Sequence, residues 1–494
     1  MKKTLFTALI LIICSLSIKS QTTHHLTLEE SIEIAKSKSL RMKRLEQDLK
    51  IVEYNLNTAK SRLKTHIDLS LTAPRYTETI RQFEDSTGVS FYSVKQLDYS
   101  TDLEISQPLP TDGRVFINGR VRGLNDYNTD LRATELNAQI GFSQPLDAFY
   151  GYNSVKSSLK TAELNFERTN KVLKREELNL IYQVSSSYYG LLSSQKNVDI
   201  TKMNLERQTE AYEISKNKYE AGLIREVDAL QMEVDLAQAQ NNYDIAVHEQ
   251  TSAVNSFKDL IGLDLADSVL LNTDLKYDIV LVDPEKAVVL AKKNRHEIRE
   301  QDIQIALQDI SIKQQKAEGM VKASIDGYFQ KYGVSNLNVS NNLTNSIDKA
   351  YTNFKDRPLN YGIGLTIRIP ILDWGENKSQ VRAAQARQKQ YIIQKEEIER
   401  DIETEVRNLV SRLNSNLKQL QLLKKSVAVA EKSFDITLKR YSDGDIDSQA
   451  LALERDRLNN SYSTHLRAYV NYQLSIADLM QKTFYDFKND KEIE

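Results

Sequence analysis

All seven prolines of this chain avoid two long stretches, residues 146–283 and 371–494. Proline removes a backbone N–H and clashes with the preceding turn, so each gap is free to hold a very long helix. The two gaps also read alike. Each has a long arm ending at a related turn, Tyr219-Glu220-Ala221-Gly222 in the first and Tyr441-Ser442-Asp443-Gly444 in the second, and a shorter arm follows. This predicts one helical hairpin made twice, with long arms of about 100 Å at about 1.5 Å per residue.

Within the gaps the apolar residues keep a coiled-coil rhythm. Leu409, Leu413, Asn416, Leu420, Leu423, Val427, Ala430, Phe434, Thr437 and Tyr441 advance by alternating steps of four and three, as do Val155, Leu159, Ala162, Phe166, Thr169 and Leu173. That spacing predicts left-handed, antiparallel coiled-coil packing.

Ahead of the first gap the period changes to two, the signature of strands. Ile67, Leu69, Leu71 and Ala73 alternate with polar residues. So do Tyr99, Thr101, Leu103 and Ile105, then Val115, Ile117, Gly119 and Val121, then Leu136, Ala138, Ile140 and Phe142. Runs with one apolar face suit either transmembrane β-strands or a soluble, half-buried sheet. Thr27 followed by Glu30 opens a helix ahead of them with a capping box. The second half replays this order. A helix starts after Asp283-Pro284, a strand covers 323–332, and Tyr361, Ile363, Leu365, Ile367 and Ile369 mark another. Residues 77–96, 124–133 and the Asn/Ser/Thr-rich 336–358 read as exposed loops. The expected organisation is a signal segment at 1–20, then repeats at about 26–262 and 284–482.

Lys2 and Lys3, the apolar run 5–18 and the polar residues that follow fit a secretory signal. The run is too short to span a bilayer as a helix, and no later stretch has the uninterrupted apolar length to do so. Cys14 lies inside that signal, and Ile13 before it is not the small residue a lipoprotein cleavage site prefers. The chain after Ser20 then has neither disulfides nor a thiolate metal site. A net charge of −2 gives no electrostatic case for a nucleic-acid partner. No catalytic constellation emerges. The histidines lack ligand spacing apart from the adjacent pair His24-His25, and acidic residues on amphipathic helices read as the solvated face. The expectation is a non-enzyme with no cofactor and no metal.

The two turns, Lys218-Tyr219-Glu220-Ala221-Gly222-Leu223-Ile224-Arg225-Glu226-Val227-Asp228 and Arg440-Tyr441-Ser442-Asp443-Gly444-Asp445-Ile446, carry a family resemblance. So do the strand-to-helix corners Phe142-Ser143-Gln144-Pro145-Leu146-Asp147 and Ile369-Pro370-Ile371-Leu372-Asp373-Trp374-Gly375. In this order, and over nearly the whole chain after the signal, the sequence resembles the TolC-like outer-membrane efflux proteins. The resemblance implies an α+β membrane protein, a homotrimer whose β-barrel crosses the outer membrane and whose coiled-coil helices form a periplasmic tunnel. A periplasmic adaptor and an inner-membrane pump would be its partners, with outer-membrane lipid around the barrel. The function implied is a passive channel for efflux or type I secretion. The family uses two strands per repeat, whereas the first half here has four. Residues 97–123 read as an extra hairpin, giving 18 strands per trimer if it joins the barrel and 12 if it does not.

For the turns, the resemblance implies adaptor contact at Tyr219, Gly222, Leu223, Gly444 and Ile446. The glycines also suit the left-handed conformation that ends one helix before the next begins. Tyr441 matches a tyrosine, and Asp228 an aspartate, that hold the family's tunnel shut, so both are gate candidates. Three positions depart from the pattern: Ile446 replaces an arginine, and Ala450 and Leu453 replace paired acids. Asp443, Asp445 and Asp447 either supply that negative charge or belong to a solvated turn. Trp374 either anchors at the membrane interface or packs its corner. The alternative to a channel is a secreted coiled-coil structural or adhesive envelope protein without a pore.

Overall fold

Several helices start where a side chain caps them, at Thr27, Asp283, Asn342 and Asp447. The computed structural model describes residues 23–86, 88–128, 131–271, 274–335 and 342–493, and the expected signal segment lies outside these. Strand β1 (Thr23–Leu26) leads to α1 (Leu28–Lys38), capped by the Thr27–Glu30 box, and then to α2 (Leu40–Ser61). Four strands follow: β2 (His66–Asp85), β3 (Gly88–Pro108), β4 (Arg114–Asp126) and β5 (Leu131–Pro145). A single turn, α3 (Asp147–Tyr150), precedes the long helix α4 (Ser154–Glu220) and its shorter partner α5 (Glu226–Ile261). After β6 (Ser268–Leu271) come α6 (Pro284–Asn294), capped by Asp283 with proline at its first turn, and α7 (His296–Glu318). Then follow β7 (Lys322–Val334), α8 (Leu343–Asp356) and β8 (Asn360–Arg368). The long helix α9 (Glu376–Asp443) and its partner α10 (Ser448–Thr483) lead to the short strands β9 (Tyr485–Asp486) and β10 (Lys491–Glu492).

The two long helices have 67 and 68 residues, and both short partners have 36, so the arms match in length and lie within the proline-free gaps. Among the described residues no helix is long and apolar enough to cross a membrane.

The chain divides into two compact units. One is built from residues up to 48, 170–300 and from 395 onward. Its core gathers Leu180, Val184, Leu191, Phe257, Ile261, Val406, Leu413, Leu420, Tyr472 and Leu479. The seam residues Leu409, Leu413, Leu420, Ala430, Phe434 and Tyr441 are buried there. Asn416 at the same seam donates to the Ser475 hydroxyl at 2.6 Å. Strands β1 and β6 pair in parallel within this unit.

The other unit, residues 49–169 and 301–394, holds a six-stranded sheet in the order β2-β3-β4-β5-β7-β8, antiparallel throughout. The hairpin at 97–123 is therefore part of the sheet. Of the expected loop 77–96, residue 87 lies outside the described residues, and residues 77–85 and 88–96 are strand. They lengthen β2 and β3 into a paired ribbon, which starts beyond the β4 register at Gln96↔Asp126. Residues 124–126 and 131–133 are likewise strand. Part of 336–358 falls outside the described residues, and the rest is mostly the helix α8, capped by the Asn342 side chain.

Candidate functional site

Backbone pairing puts directly opposed residues on the same face of a sheet, so whole rows can be read across the strands. One row runs Ile67–Ile105–Ile117–Ile140–Phe329–Tyr361 through all six strands. Its residues and their neighbours Leu69, Leu71, Val121, Ile363, Leu365 and Ile367 form one apolar face, much of it open to the surroundings: Tyr361 is 75% and Ile363 79% exposed. The next row, one residue along each strand, is Asp68–Glu104–Asn118–Gln139–Gln330–Asn360, with no apolar side chain in it. On that opposite face Arg120 pairs with Asp102, and Arg122 lies 3.7 Å from Glu135. The sheet is thus apolar on one side and polar on the other; the apolar side is largely exposed, and the polar row is half-buried except at its two edge strands.

Its edges are also open. Strands β2 and β8 stand at the two ends of the strand order, each paired on one side only among the described residues. Between Thr72 and Arg75, two residues of β2, Ala73 and Pro74, stand against one of β3, Tyr99, which makes a bulge. At the corner after β8, Asp373 accepts from the backbone N–H of Gly375 at 2.9 Å and of Asn377 at 3.1 Å, which starts α9. Trp374 beside it is 91% exposed, so within the chain it does not pack the corner.

The turns between the helical arms are built alike. Gly222 (φ 71°) and Gly444 (φ 89°) take the left-handed conformation. In each turn the glycine N–H reaches a carbonyl three residues back, Tyr219 at 2.8 Å and Tyr441 at 3.1 Å. The next N–H reaches five back, Leu223 to Lys218 at 2.8 Å and Asp445 to Arg440 at 2.9 Å. This is the two-bond glycine cap that satisfies orphaned helix carbonyls. Tyr219 is 43% and Leu223 73% exposed, whereas Ile446 packs against a buried cluster. Of the three turn aspartates, Asp447 accepts from the Ala450 N–H at 2.9 Å and caps α10, while Asp443 and Asp445 are exposed.

Tyr441 and Asp228 are not in contact through any bond of this chain. Tyr441 is 2% exposed, inside a cluster with Ala211, Met232, Phe434, Leu451 and Leu458. The Lys218 ammonium sits 4.5 Å from its ring centroid and donates to its carbonyl. The Tyr441 hydroxyl is buried without a hydrogen-bond partner among the described residues. Asp228 instead accepts two bonds from Arg225, each 3.1 Å. Those bonds from the guanidinium hold its carboxyl below the usual carboxylate range.

A polar layer crosses the helices farther from the turns. Arg455, 14% exposed, lies 3.2 Å from Asp235 and donates to Gln208. Asn459 donates to Asn204 at 2.5 Å, and the Arg207 guanidinium lies 5.3 Å from the Phe434 ring centroid and 5.8 Å from that of Tyr462. The sequence held a signal for this layer. Leu451, Arg455, Leu458 and Tyr462 keep the four-three step, so Arg455 stands at a seam position.

A family model described as "Outer membrane efflux protein" matches residues 32–263 and 287–482. Nodulation protein T from Rhizobium leguminosarum bv. trifolii is 20% identical over 298 residues, 58% of this chain and 59% of that protein. The chain therefore spans about three fifths of the length of the curated relative it matches. Among solved structures, the Campylobacter jejuni CmeC outer membrane channel superposes with a TM-score of 0.68 at 16% identity, covering 95% of this chain and 90% of that one. The outer membrane protein VceC from Vibrio cholerae gives 0.68 at 13% identity, with 94% and 97% covered. At such identities the likeness is one of fold.

Proposed function

The chain belongs to the outer membrane efflux protein family, and on that premise we propose that it is a passive export conduit spanning the outer membrane and the periplasm. The observation that carries the reading is the two-faced sheet. An apolar row six strands wide needs a lipid-like cover, and the polar row behind it needs water. Open sheet edges are not tolerated in hydrocarbon, so β2 and β8 must find strand partners. Six strands are also fewer than the eight of small bacterial single-chain barrels. The strand directions alternate, so β8 of one copy can pair antiparallel with β2 of the next. Three copies contributing six strands each close at 18. The polar face then lines the lumen, and the paired arms α4–α5 and α9–α10 continue the passage through the periplasm.

In this reading a periplasmic adaptor docks at the turns through Tyr219, Gly222, Leu223, Gly444 and Ile446, and an inner-membrane pump supplies the energy. The alternative, a secreted coiled coil without a pore, leaves the exposed apolar face without a purpose. Electron microscopy of the detergent-solubilised protein tests the proposal. A threefold tube with 18 strands is expected, and a thin rod without a barrel would sink it.

Tyr441 and Asp228 belong to the closing latch of this conduit. The orphaned Tyr441 hydroxyl supports that role, because a buried hydroxyl left unpaired costs about 1–3 kcal/mol, and a movement of the arms that uncovers it would let it find a partner. Replacing both residues with alanine should raise single-channel conductance in planar bilayers. Unchanged conductance would remove them from the latch.

A further inference from the structure

The β7–β8 connection carries a feature that neither the pore nor the tunnel uses. We propose that α8 is an interfacial helix lying in the outer-leaflet boundary of the membrane, with Leu343, Ile347 and Tyr351 against acyl chains. This rests on the reading of the apolar sheet face as lipid-facing.

Helix α8 packs against β5 and β7, and it does so on the apolar face. Gly333 pairs with Leu136, four residues along from Ile140↔Phe329, and so shares their face. A Cβ at Gly333 would lie 2.4 Å from the Ala350 carbonyl oxygen and 2.6 Å from the Phe354 nitrogen, so the helix backbone rests directly on the strand. The contact is sealed by small and hydroxylated residues. Ser346 and Ala350 are fully buried. The Ser346 hydroxyl is 2.8 Å from that of Thr134 and 3.0 Å from that of Ser335. Asn353 accepts from the Val334 N–H at 3.0 Å.

Beside this buried stripe stands an exposed apolar one. Leu343, Ile347 and Tyr351 follow at steps of four and are 41%, 43% and 62% exposed. Thr344, Asn345, Asp348, Lys349, Thr352, Lys355 and Asp356 make up the remaining side. A helix with one apolar flank and a charged polar face lies in the plane of a membrane interface. Lys331, on the apolar sheet face, fits the same depth. Its ammonium donates to the Lys355 carbonyl at 3.1 Å and lies 5.8 Å from the Phe354 ring centroid, so its charge meets the negative end of the helix. A second copy is the weaker occupant, because a copy joins the sheet at β2 and β8, whereas α8 covers β5 and β7.

The test uses the full chain in phosphatidylcholine nanodiscs with and without bromine on the acyl chains. Trp374, the sole tryptophan, is first replaced by phenylalanine. Single probes are then placed as Tyr351→Trp or Ile347→Trp on the stripe, Thr352→Trp on the polar side, and Ile363→Trp on the β8 apolar face. Brominated chains should quench the two stripe probes and I363W at least about twofold, as contact with buried acyl chains requires, and T352W much less. Quenching of I363W without either stripe probe overturns the interfacial helix and leaves the barrel standing. No quenching at any position removes the lipid-facing reading and the inference with it.

Discussion

Half-buried imidazoles make the helical unit acid-sensitive, and the one with the larger shift stands at a helix start. His296, at the start of α7, stacks edge-on against Phe484 with ring centroids 4.7 Å apart. Burial, together with the Lys171 charge nearby, lowers its pKa from 6.5 to about 4. The folded state thus binds the proton more weakly than the open one. Its contribution to stability is complete above about pH 6.5 and falls away as the pH drops toward 4. Hydrogen exchange around α7 and the C-terminal strands should therefore accelerate over that window, and His296→Gln should flatten the profile. An unchanged profile in the variant would exclude this histidine as the cause. Tyr441 shows how far single residues were legible. Its place beside the turn is plain in the sequence, but the Lys218 ammonium over its ring comes from the opposite hairpin, 223 positions away, and no local pattern records that.

Helices were the most legible elements, because proline-free length and a four-three rhythm are properties of the chain itself. Their seam also carries a testable exception. Removing one member of a buried ion pair typically costs about 3–5 kcal/mol, while replacing both with apolar residues is often neutral. Arg455→Leu should thus destabilise the α5–α10 packing and expose residues near Asp235 to protease. Combining it with Asp235→Leu should restore most of the loss, and additive losses in the double variant would show that the pair is not coupled. Strand ends were harder to read. Residues 77–96 lack clean alternation because the ribbon is largely solvent-exposed, with Ile80 73% and Phe91 70% exposed, and so no face had to be kept apolar. Helix α8 hides among Asn, Ser and Thr because serine and alanine, not large apolar residues, make its contact with the sheet.

For the whole molecule, the two faces of the sheet set opposite rules for neighbouring positions. An arginine on a lipid-facing strand costs about 2–4 kcal/mol at mid-membrane. Ile117→Arg should abolish assembled trimers on unheated gels, whereas Asn118→Arg, one residue away, should leave assembly intact and alter ion selectivity in planar bilayers. Equal loss from both would mean that neither face meets lipid. The sequence showed these faces as alternation but could not show whether 97–123 lay within the sheet, since pairing order is a long-range property.

The bulge between Thr72 and Arg75 bears on how such a wall changes over descent. A strand residue gained or lost inverts every side chain beyond it, so Tyr76, opposite Leu97 on the apolar face, would turn to the polar side. The extra residue in β2 is absorbed locally, and the phase of the strand is recovered. Insertions and deletions in these strands should accordingly persist in even numbers, and an odd one only where the backbone can buckle to hide it.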